Sequence, residues 1–225
     1  RRIPRVPRAA WVRGTVTGPS IFRPDASGAQ SGGSKPSHEG SLVPFERILL
    51  VGFMGSGKTQ VGLALAKALS WLFRDFDQEI GARVGLPIPE IFRQHGEGFF
   101  REVEERVGAE LLLEREVVLA SGGGWPAAVG RMEGLGPLTF SIWLQVTVEE
   151  AVRRVGEEGP TRPLLAGADP VSRARALLKE REPYYGKAHA AIDATDSGPE
   201  ELAGRIKILL NERGRELIRP LPPYK

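Results

Sequence analysis

Hydrophobic residues in this chain fall into short apolar runs that alternate with segments of helical period. The runs predict buried strands at Ile48–Val51, Leu72–Phe76, Glu116–Ala120, Thr139–Leu144 and Ala191–Asp193. The segments between them predict helices at Lys58–Leu69, Gln78–Val84, Pro89–His95, Phe99–Arg115, Val148–Val155 and Pro170–Glu182, and a last helix ending near Arg213. Residues 156–169 are polar and broken, and they predict a mobile loop. This alternation is typical of a parallel sheet covered by helices on both faces.

The first 44 residues lack any such period. Glycine, proline and serine occur six times each there, and such a segment buries too little apolar surface to fold alone. We therefore expect a disordered leader over residues 1–44, one domain over 45–216 and a short Pro-rich tail over 217–225. The leader is rich in arginine and poor in acid, which loosely resembles an organelle transit peptide. An upstream extension of the reading frame fits at least as well.

Charge and composition narrow the class of protein further. The leader holds seven basic and two acidic residues while the whole chain has a net charge of +3, so the domain itself is slightly acidic. This argues against a nucleic-acid-binding face on the domain. No apolar run approaches the ~20 residues that span a bilayer, and the chain has no cysteine for a disulfide or a thiol nucleophile. We expect a cytoplasmic monomer that binds neither membrane nor nucleic acid, with organelle import as the less favoured alternative.

The stretch Gly52–Thr59 reads Gly-Phe-Met-Gly-Ser-Gly-Lys-Thr and matches G-x-x-x-x-G-K-[ST] at every fixed position. In this pattern, backbone N–H groups cradle phosphate oxygens at the partly positive start of a helix. The lysine, Lys58, reaches the outer phosphates, and the hydroxyl of Thr59 holds a magnesium ion. A predicted strand precedes the stretch and a predicted helix follows it, as the pattern requires. The sequence therefore predicts a site for a nucleoside triphosphate with Mg²⁺.

Asp75 and Asp77 lie at the end of the second predicted strand. Because strand side chains alternate, both carboxylates can face the glycine loop at the carboxyl edge of the sheet. A kinase site uses one carboxylate near the metal and one near the accepting hydroxyl. The pair equally fits a polar strand end that caps the next helix, and the sequence leaves both interpretations open.

Further stretches carry groups suited to a second substrate. Arg101 follows a Gly-Glu-Gly turn and suits bidentate capture of a carboxylate, although Glu104 could simply pair with it on the surface. Three glycines at 122–124 follow a buried strand and permit either close approach of a ligand or a flexible turn. Arg162, in the polar loop, could close on a transferring phosphoryl group or stay solvated. Arg181 could project into the site from the end of a charged helix.

In this order, the stretches resemble the shikimate kinase family over roughly Ile48–Arg213. The motifs that carry the resemblance, besides the glycine loop, are Asp75-Phe-Asp77-Gln-Glu-Ile80, Gly96-Glu97 with Phe100-Arg101-x-x-Glu104, the triglycine 122–124, Arg162-Pro-Leu-Leu165 and Glu180-Arg181-x-Pro183-x-Tyr185. The resemblance implies a P-loop NTPase-type three-layer α/β domain with a central five-stranded parallel sheet, helices on both faces and a mobile lid. It also implies transfer of the γ-phosphoryl group of ATP to the 3-hydroxyl of shikimate, with Mg²⁺ as cofactor.

The same resemblance implies a role for individual residues. Those implied to bind ATP are Gly55, Ser56, Gly57, Lys58, Thr59, Gln60, Arg153 and Arg162. Those implied to bind shikimate are Asp77, Arg101, Gly122, Gly123, Gly124 and Arg181. Catalysis would rest on Lys58, Asp77 and Arg162, and the metal on Thr59 and on Asp75 through a bound water. The arginine against adenine is the loosest match, since either Arg153 or Arg154 fits.

Two departures and two rivals stay open at this point. Gln60 stands where a second small hydroxyl residue is common, and Trp125 stands where small residues are usual. One rival is a kinase for another small acid such as gluconate, which has no ring to fill a pocket flanked by Phe76, Phe99 and Phe100. The other rival is a catalytically silent kinase-like module that only binds its ligands.

Overall fold

The computed structural model describes residues 44–157 and 169–218, with side chains up to residue 214. Arg162, almost all of the predicted loop, the leader before residue 44 and the tail after residue 218 lie outside the described residues. Within the described ranges, no helix is long and apolar enough to cross a membrane.

The described residues form one parallel sheet. Its strands are β1 (Arg47–Val51), β2 (Leu72–Asp75), β3 (Val117–Ala120), β4 (Thr139–Gln145) and β5 (Ala190–Asp193). They lie in the order β2-β3-β1-β4-β5 and pair in parallel throughout. The first strand is therefore central, and the segments that follow β1, β2 and β3 emerge side by side at one edge of the sheet. The predicted five-stranded parallel sheet is confirmed.

Helices cover both faces of this sheet. They are α1 (Lys58–Leu69), α2 (Phe76–Val84), α3 (Ile88–Leu111), α4 (Val148–Glu157), α5 (Pro170–Tyr185) and α6 (Pro199–Ile218). Alternate residues of β1 enter two separate apolar clusters. Ile48 and Leu50 pack with residues of α1 and α6, whereas Leu49 and Val51 pack with residues of α2, α3 and α5. Because both faces are covered, these four strand residues are fully buried, which explains their continuous apolar run.

The predicted break in the third helical region is confirmed as a kink inside one helix, α3. Pro89–His95 and Phe99–Arg115 were expected as two helices separated by a turn, but α3 runs from Ile88 to Leu111. The break is present within it, since Gly96 has φ 80° and ψ 174° and leaves the helical conformation. Glycine adopts this positive φ without a β-carbon clash. The residues after this kink carry Arg101 toward the end of β3.

Candidate active site

The glycine loop wraps the carboxyl end of β1 and leads into α1. Gly55 has φ 72°, and a β-carbon there would lie 2.6 Å from the carbonyl oxygen of Ala151. Both the backbone conformation and the space therefore require glycine. Gly57, at φ 82°, is the residue before the first turn of α1. The buried Ser56 lies between these two glycines, and the free N–H groups of α1 begin next to them.

Lys58 folds back over the loop. Its Nζ donates to the carbonyl oxygens of Gly52 at 2.9 Å and Phe53 at 2.7 Å, and approaches the Ser56 hydroxyl at 3.4 Å. The ammonium group is thus held at the mouth of the loop by the loop itself. This places the predicted phosphate-binding cation beside the predicted cradle.

Asp75 joins the glycine loop to the second helix. Its Oδ2 accepts a hydrogen bond of 2.7 Å from the Thr59 hydroxyl, and its Oδ1 accepts from the backbone N–H groups of Asp77 and Gln78. The carboxylate therefore caps α2, as one interpretation of this motif predicted, and it also contacts the glycine loop.

The strand argument for this pair is wrong. The predicted strand Leu72–Phe76 ends at Asp75, and Asp77 lies in the first turn of α2. Asp77 reaches the site because the helix cap redirects the chain, not because side chains alternate along a strand. Its Oδ1 faces Gly122, where a β-carbon would lie 3.2 Å away.

The glycine segment Gly122–Gly124 lies between charged side chains from three helices. A β-carbon on Gly122 would also lie 2.6 Å from Oε1 of Glu104, and one on Gly124 would lie 2.7 Å from Nη1 of Arg101. Gly123 lies near Arg181, whose Nη1 would be 3.5 Å from a β-carbon there. A β-carbon at Gly122 or Gly124 would displace the ends of these charged side chains, so the two glycines let Glu104 and Arg101 lie close against the backbone.

We call Asp77, Arg101, Glu104, Gly122–Gly124 and Arg181 the acceptor side, and Gly52–Thr59 with Asp75 the phosphate side. On the acceptor side, Arg101 donates to Oε2 of Glu104 at 2.8 Å and to Oε1 of the exposed Glu97 at 3.1 Å. Glu104 is only 1% exposed and Arg101 is 32% exposed, so the surface pair considered from the sequence is a half-buried one. Burial raises the pKa of Glu104, and the neighbouring charge of Arg101 opposes that rise.

Arg181 is 7% exposed and lies near the last turn of α5. Among the described residues, no carboxylate lies within ion-pair distance of its guanidinium group. Tyr185, one turn further on, donates its hydroxyl to the carbonyl oxygen of Gly123 at 2.5 Å. Burial raises the pKa of Tyr185 to about 12, although the Arg181 charge opposes this rise. A buried cation that has no acidic partner within residues 44–157 and 169–214 is costly and is a suitable receptor for an anionic ligand.

The two candidate adenine contacts point in different directions. Arg153 is exposed and pairs with Glu150 and Glu157. Arg154 also pairs with Glu150, and it donates to the carbonyl oxygens of Gly55, Ala194 and Thr195, which join the glycine loop to the segment after β5. Of the two, Arg154 lies at the glycine loop.

Three further residues were singled out from the sequence. Gln60 is exposed in the first turn of α1, and Arg162 is outside the described residues. Phe76, expected to flank the pocket, is fully buried and packs edge-on against Trp125 at 5.4 Å between ring centroids.

Arg131 also lies at the acceptor side, although no sequence motif predicted a role for it there. Its Nη1 lies 3.9 Å from Oε2 of Glu104, and its side chain covers Trp125. Arg131 lies 27 positions beyond Glu104, and no motif spacing links the two.

The fold and the site define the class of protein as a P-loop kinase with an α/β domain. The sequence model for shikimate kinase matches residues 54–211. Shikimate kinase from Moorella thermoacetica is 44% identical over 160 residues, which cover 71% of this chain and 91% of that protein. On these grounds, the chain belongs to the shikimate kinase family.

Solved structures agree with this assignment. Shikimate kinase from Acinetobacter baumannii in complex with shikimate has a TM-score of 0.72 and 36% identity, and the match covers 76% of this chain and 96% of that one. A gluconokinase from Sinorhizobium meliloti has a TM-score of 0.52 and 19% identity, covering 79% of this chain and 99% of that one. The second likeness concerns the fold alone.

Proposed function

We propose that this protein transfers the γ-phosphoryl group of ATP to the 3-hydroxyl of shikimate. The observation that carries the proposal is the buried Arg181, which has no carboxylate partner among the described residues and lies beside Gly123. Together with Arg101 it offers two guanidinium groups to a small ligand that bears a carboxylate. Shikimate kinases close to this chain in sequence and structure support the choice of shikimate over gluconate.

On the phosphate side, Gly55–Thr59 and Gln60 would bind the triphosphate, and Lys58 would exchange its loop carbonyls for phosphate oxygens. Thr59 and Asp75 place a hydroxyl and a carboxylate 2.7 Å apart beside the loop. Such oxygen ligands suit Mg²⁺, which keeps water and phosphate oxygens in the rest of its shell. Within the part of the chain that the structure describes, no group of three or more histidine, cysteine or acidic side chains could hold a metal ion. Bound there, Mg²⁺ would neutralise charge that develops on the phosphates.

On the acceptor side, Arg101 and Arg181 would fix the carboxylate, and the Gly122–Gly124 backbone would let the ring approach closely. Asp77 would accept a hydrogen bond from the attacking hydroxyl and take its proton as the oxygen bonds to the γ-phosphorus. The bond from that phosphorus to the β,γ-bridging oxygen breaks, and ADP leaves. Arg162 stays a prediction for closing the site, as do Arg153 as the adenine contact, a monomeric state and a cytoplasmic location.

The test is ADP release measured with shikimate, with gluconate and without an acceptor. We expect turnover with shikimate alone. Shikimate with its carboxylate replaced by a neutral carboxamide should have a KM raised at least tenfold, since one charge-assisted contact contributes about 1.5–3 kcal/mol. Turnover of gluconate without turnover of shikimate would overturn the proposal. Binding of both ATP and shikimate without ADP release would favour the silent module.

A further inference from the structure

One face of α3 packs along the segment that follows β3. Arg101, Glu104 and Gly108 are spaced three and four residues apart and share this face. Arg101 contacts the site of Gly124, and Glu104 contacts the site of Gly122. Gly108, one turn beyond Glu104, contacts Trp125. The segment that follows β3 and helix α3 therefore meet through these three contacts.

Trp125 fills a notch that only glycine leaves open. A β-carbon on Gly108 would lie 2.5 Å from Nε1 of the indole and 3.0 Å from Cε2 of Phe76. Both atoms belong to rigid rings, and Trp125 is 3% exposed while Phe76 is fully buried. Neither ring can turn aside within a packed core. An alanine at Gly108 would therefore displace the indole or separate the two segments.

The packing of Trp125 against Gly108 costs stability locally. Glycine inside a helix is less stable than alanine. The Nε1 of Trp125 is buried and has no hydrogen-bond partner among the described residues, which also costs free energy. Two local costs therefore coincide at one contact, as is expected at functional sites.

Arg131 links the indole to the buried carboxylate. Its guanidinium carbon lies 5.3 Å from the Trp125 ring centroid, and its Nη1 donates to the Trp125 carbonyl oxygen at 3.2 Å. The same nitrogen lies 3.9 Å from Oε2 of Glu104, the oxygen that accepts from Arg101. A displacement of Trp125 would therefore reach Arg101 through two charged contacts.

We infer that Trp125, seated in the Gly108 notch and covered by Arg131, is a positioning residue for shikimate binding. It sets the register between the glycine segment and α3, and so fixes Arg101 and the backbone of Gly122–Gly124 against each other. The inference rests on the proposed function, because it gives the acceptor side its substrate. Trp125 acts through these groups and has no role on the phosphate side.

The decisive variant is Gly108→Ala. We expect the KM for shikimate to rise at least tenfold while the KM for ATP stays within twofold, and calorimetry without ATP should show the same loss of shikimate affinity. Gly204→Ala is the matched control, because Gly204 lies within α6 with open space where its β-carbon would be. It should raise thermal stability, as alanine does in a helix, and leave both KM values unchanged.

Recovery of shikimate affinity by a second substitution distinguishes a positioning role from general damage to the structure. In Gly108→Ala/Trp125→Leu, the smaller side chain leaves room for the new methyl group, so shikimate affinity should recover at least threefold relative to Gly108→Ala. If Gly108→Ala does not fold, Arg131→Leu takes its place. That variant should raise the shikimate KM selectively, and Arg131→Lys should restore part of the loss.

Two results would overturn the inference. Gly108→Ala could stabilise the protein as Gly204→Ala does, with an unchanged shikimate KM, or it could lower thermal stability without altering that KM. Neither result touches the proposed function, which fails only if the unmodified protein does not phosphorylate shikimate.

Discussion

The phosphate side takes its contacts largely from neighbouring residues, whereas the acceptor side is assembled from distant parts of the chain. Lys58 donates to carbonyl oxygens only five and six residues away. By contrast, the hydroxyl of Tyr185 reaches the carbonyl of Gly123 from 62 residues away. The acceptor side also buries charge, with Glu104 1% and Arg181 7% exposed. A binding site for a common cosubstrate can thus be built from residues close together in sequence, whereas a site that selects one substrate acid depends on tertiary packing.

Lys58→Met should have the largest effect. Removing a preorganised charge from the transferring group lowers kcat by about 10²–10³-fold, whereas calorimetric shikimate affinity should hardly change. Steady-state assays of Lys67→Met, an exposed lysine in the last turn of α1, provide the control. A fall in kcat of less than tenfold would show that the phosphate side does not depend on this cation.

Arg181→Leu should separate binding from folding on the acceptor side. The shikimate KM should rise about 10- to 150-fold, as expected for one lost charge-assisted contact. Because the variant removes a buried cation that has no described carboxylate partner, the free energy of unfolding should not fall. Chemical denaturation without ligand measures this. A clear loss of stability would mean that Arg181 is primarily structural.

Arg101→Leu should act differently from Arg181→Leu, although both remove a guanidinium group. It leaves Glu104 buried without its 2.8 Å partner, so the free energy of unfolding should fall by about 1–3 kcal/mol. Burial raises the pKa of Glu104. Because its pKa is higher in the folded protein than in the unfolded one, Glu104 contributes to stability at low pH, and this contribution is lost as the pH rises through the folded pKa. The loss of unfolding free energy in the variant should therefore be smaller at pH 5 than at pH 8. Equal deficits at both pH values would contradict this account.

Arg154→Ala and Arg153→Ala compare two adjacent arginines on the nucleotide side. Loss of the Arg154 contacts to Gly55, Ala194 and Thr195 should raise the ATP KM about two- to tenfold, the range expected for hydrogen bonds of this kind. Arg153→Ala should leave the ATP KM within twofold. The reverse ranking would support the adenine contact predicted for Arg153.

His189→Gln should have the smallest effect of these substitutions, because His189 lies away from the phosphate side and from the acceptor side. The His189 Nδ1 accepts from the backbone N–H of Ser141 at 3.0 Å, which requires the neutral ring. Burial lowers the pKa of His189 below its ordinary 6.5. The neutral ring therefore stabilises the fold above pH 6.5, and this contribution is lost as the pH falls from 6.5 through the lower pKa of the folded protein. Thermal unfolding at pH 8 and pH 5 should show a smaller pH-dependent loss in His189→Gln than in the unmodified protein.

The fold and the phosphate side could be predicted because their signals are local. The apolar run of β1, the glycine loop and the period of α1 are contiguous, and each constrains the next. The burial of Glu104 could not be predicted in the same way, because its surroundings come from α2 and the segment after β3. The choice between Arg153 and Arg154 also depends on packing. Adjacent helical residues point about 100° apart, and only the docking of α4 decides which one faces the loop.

The hydrogen bonds from Lys58 to its own loop have a consequence for the binding of phosphate groups. The ammonium group already has the carbonyl oxygens of Gly52 and Phe53 as acceptors, so an incoming anion must displace bonds that exist. Binding of a phosphate group to Lys58 therefore exchanges existing hydrogen bonds for new ones, and the measured affinity for the nucleotide contains only the difference between them.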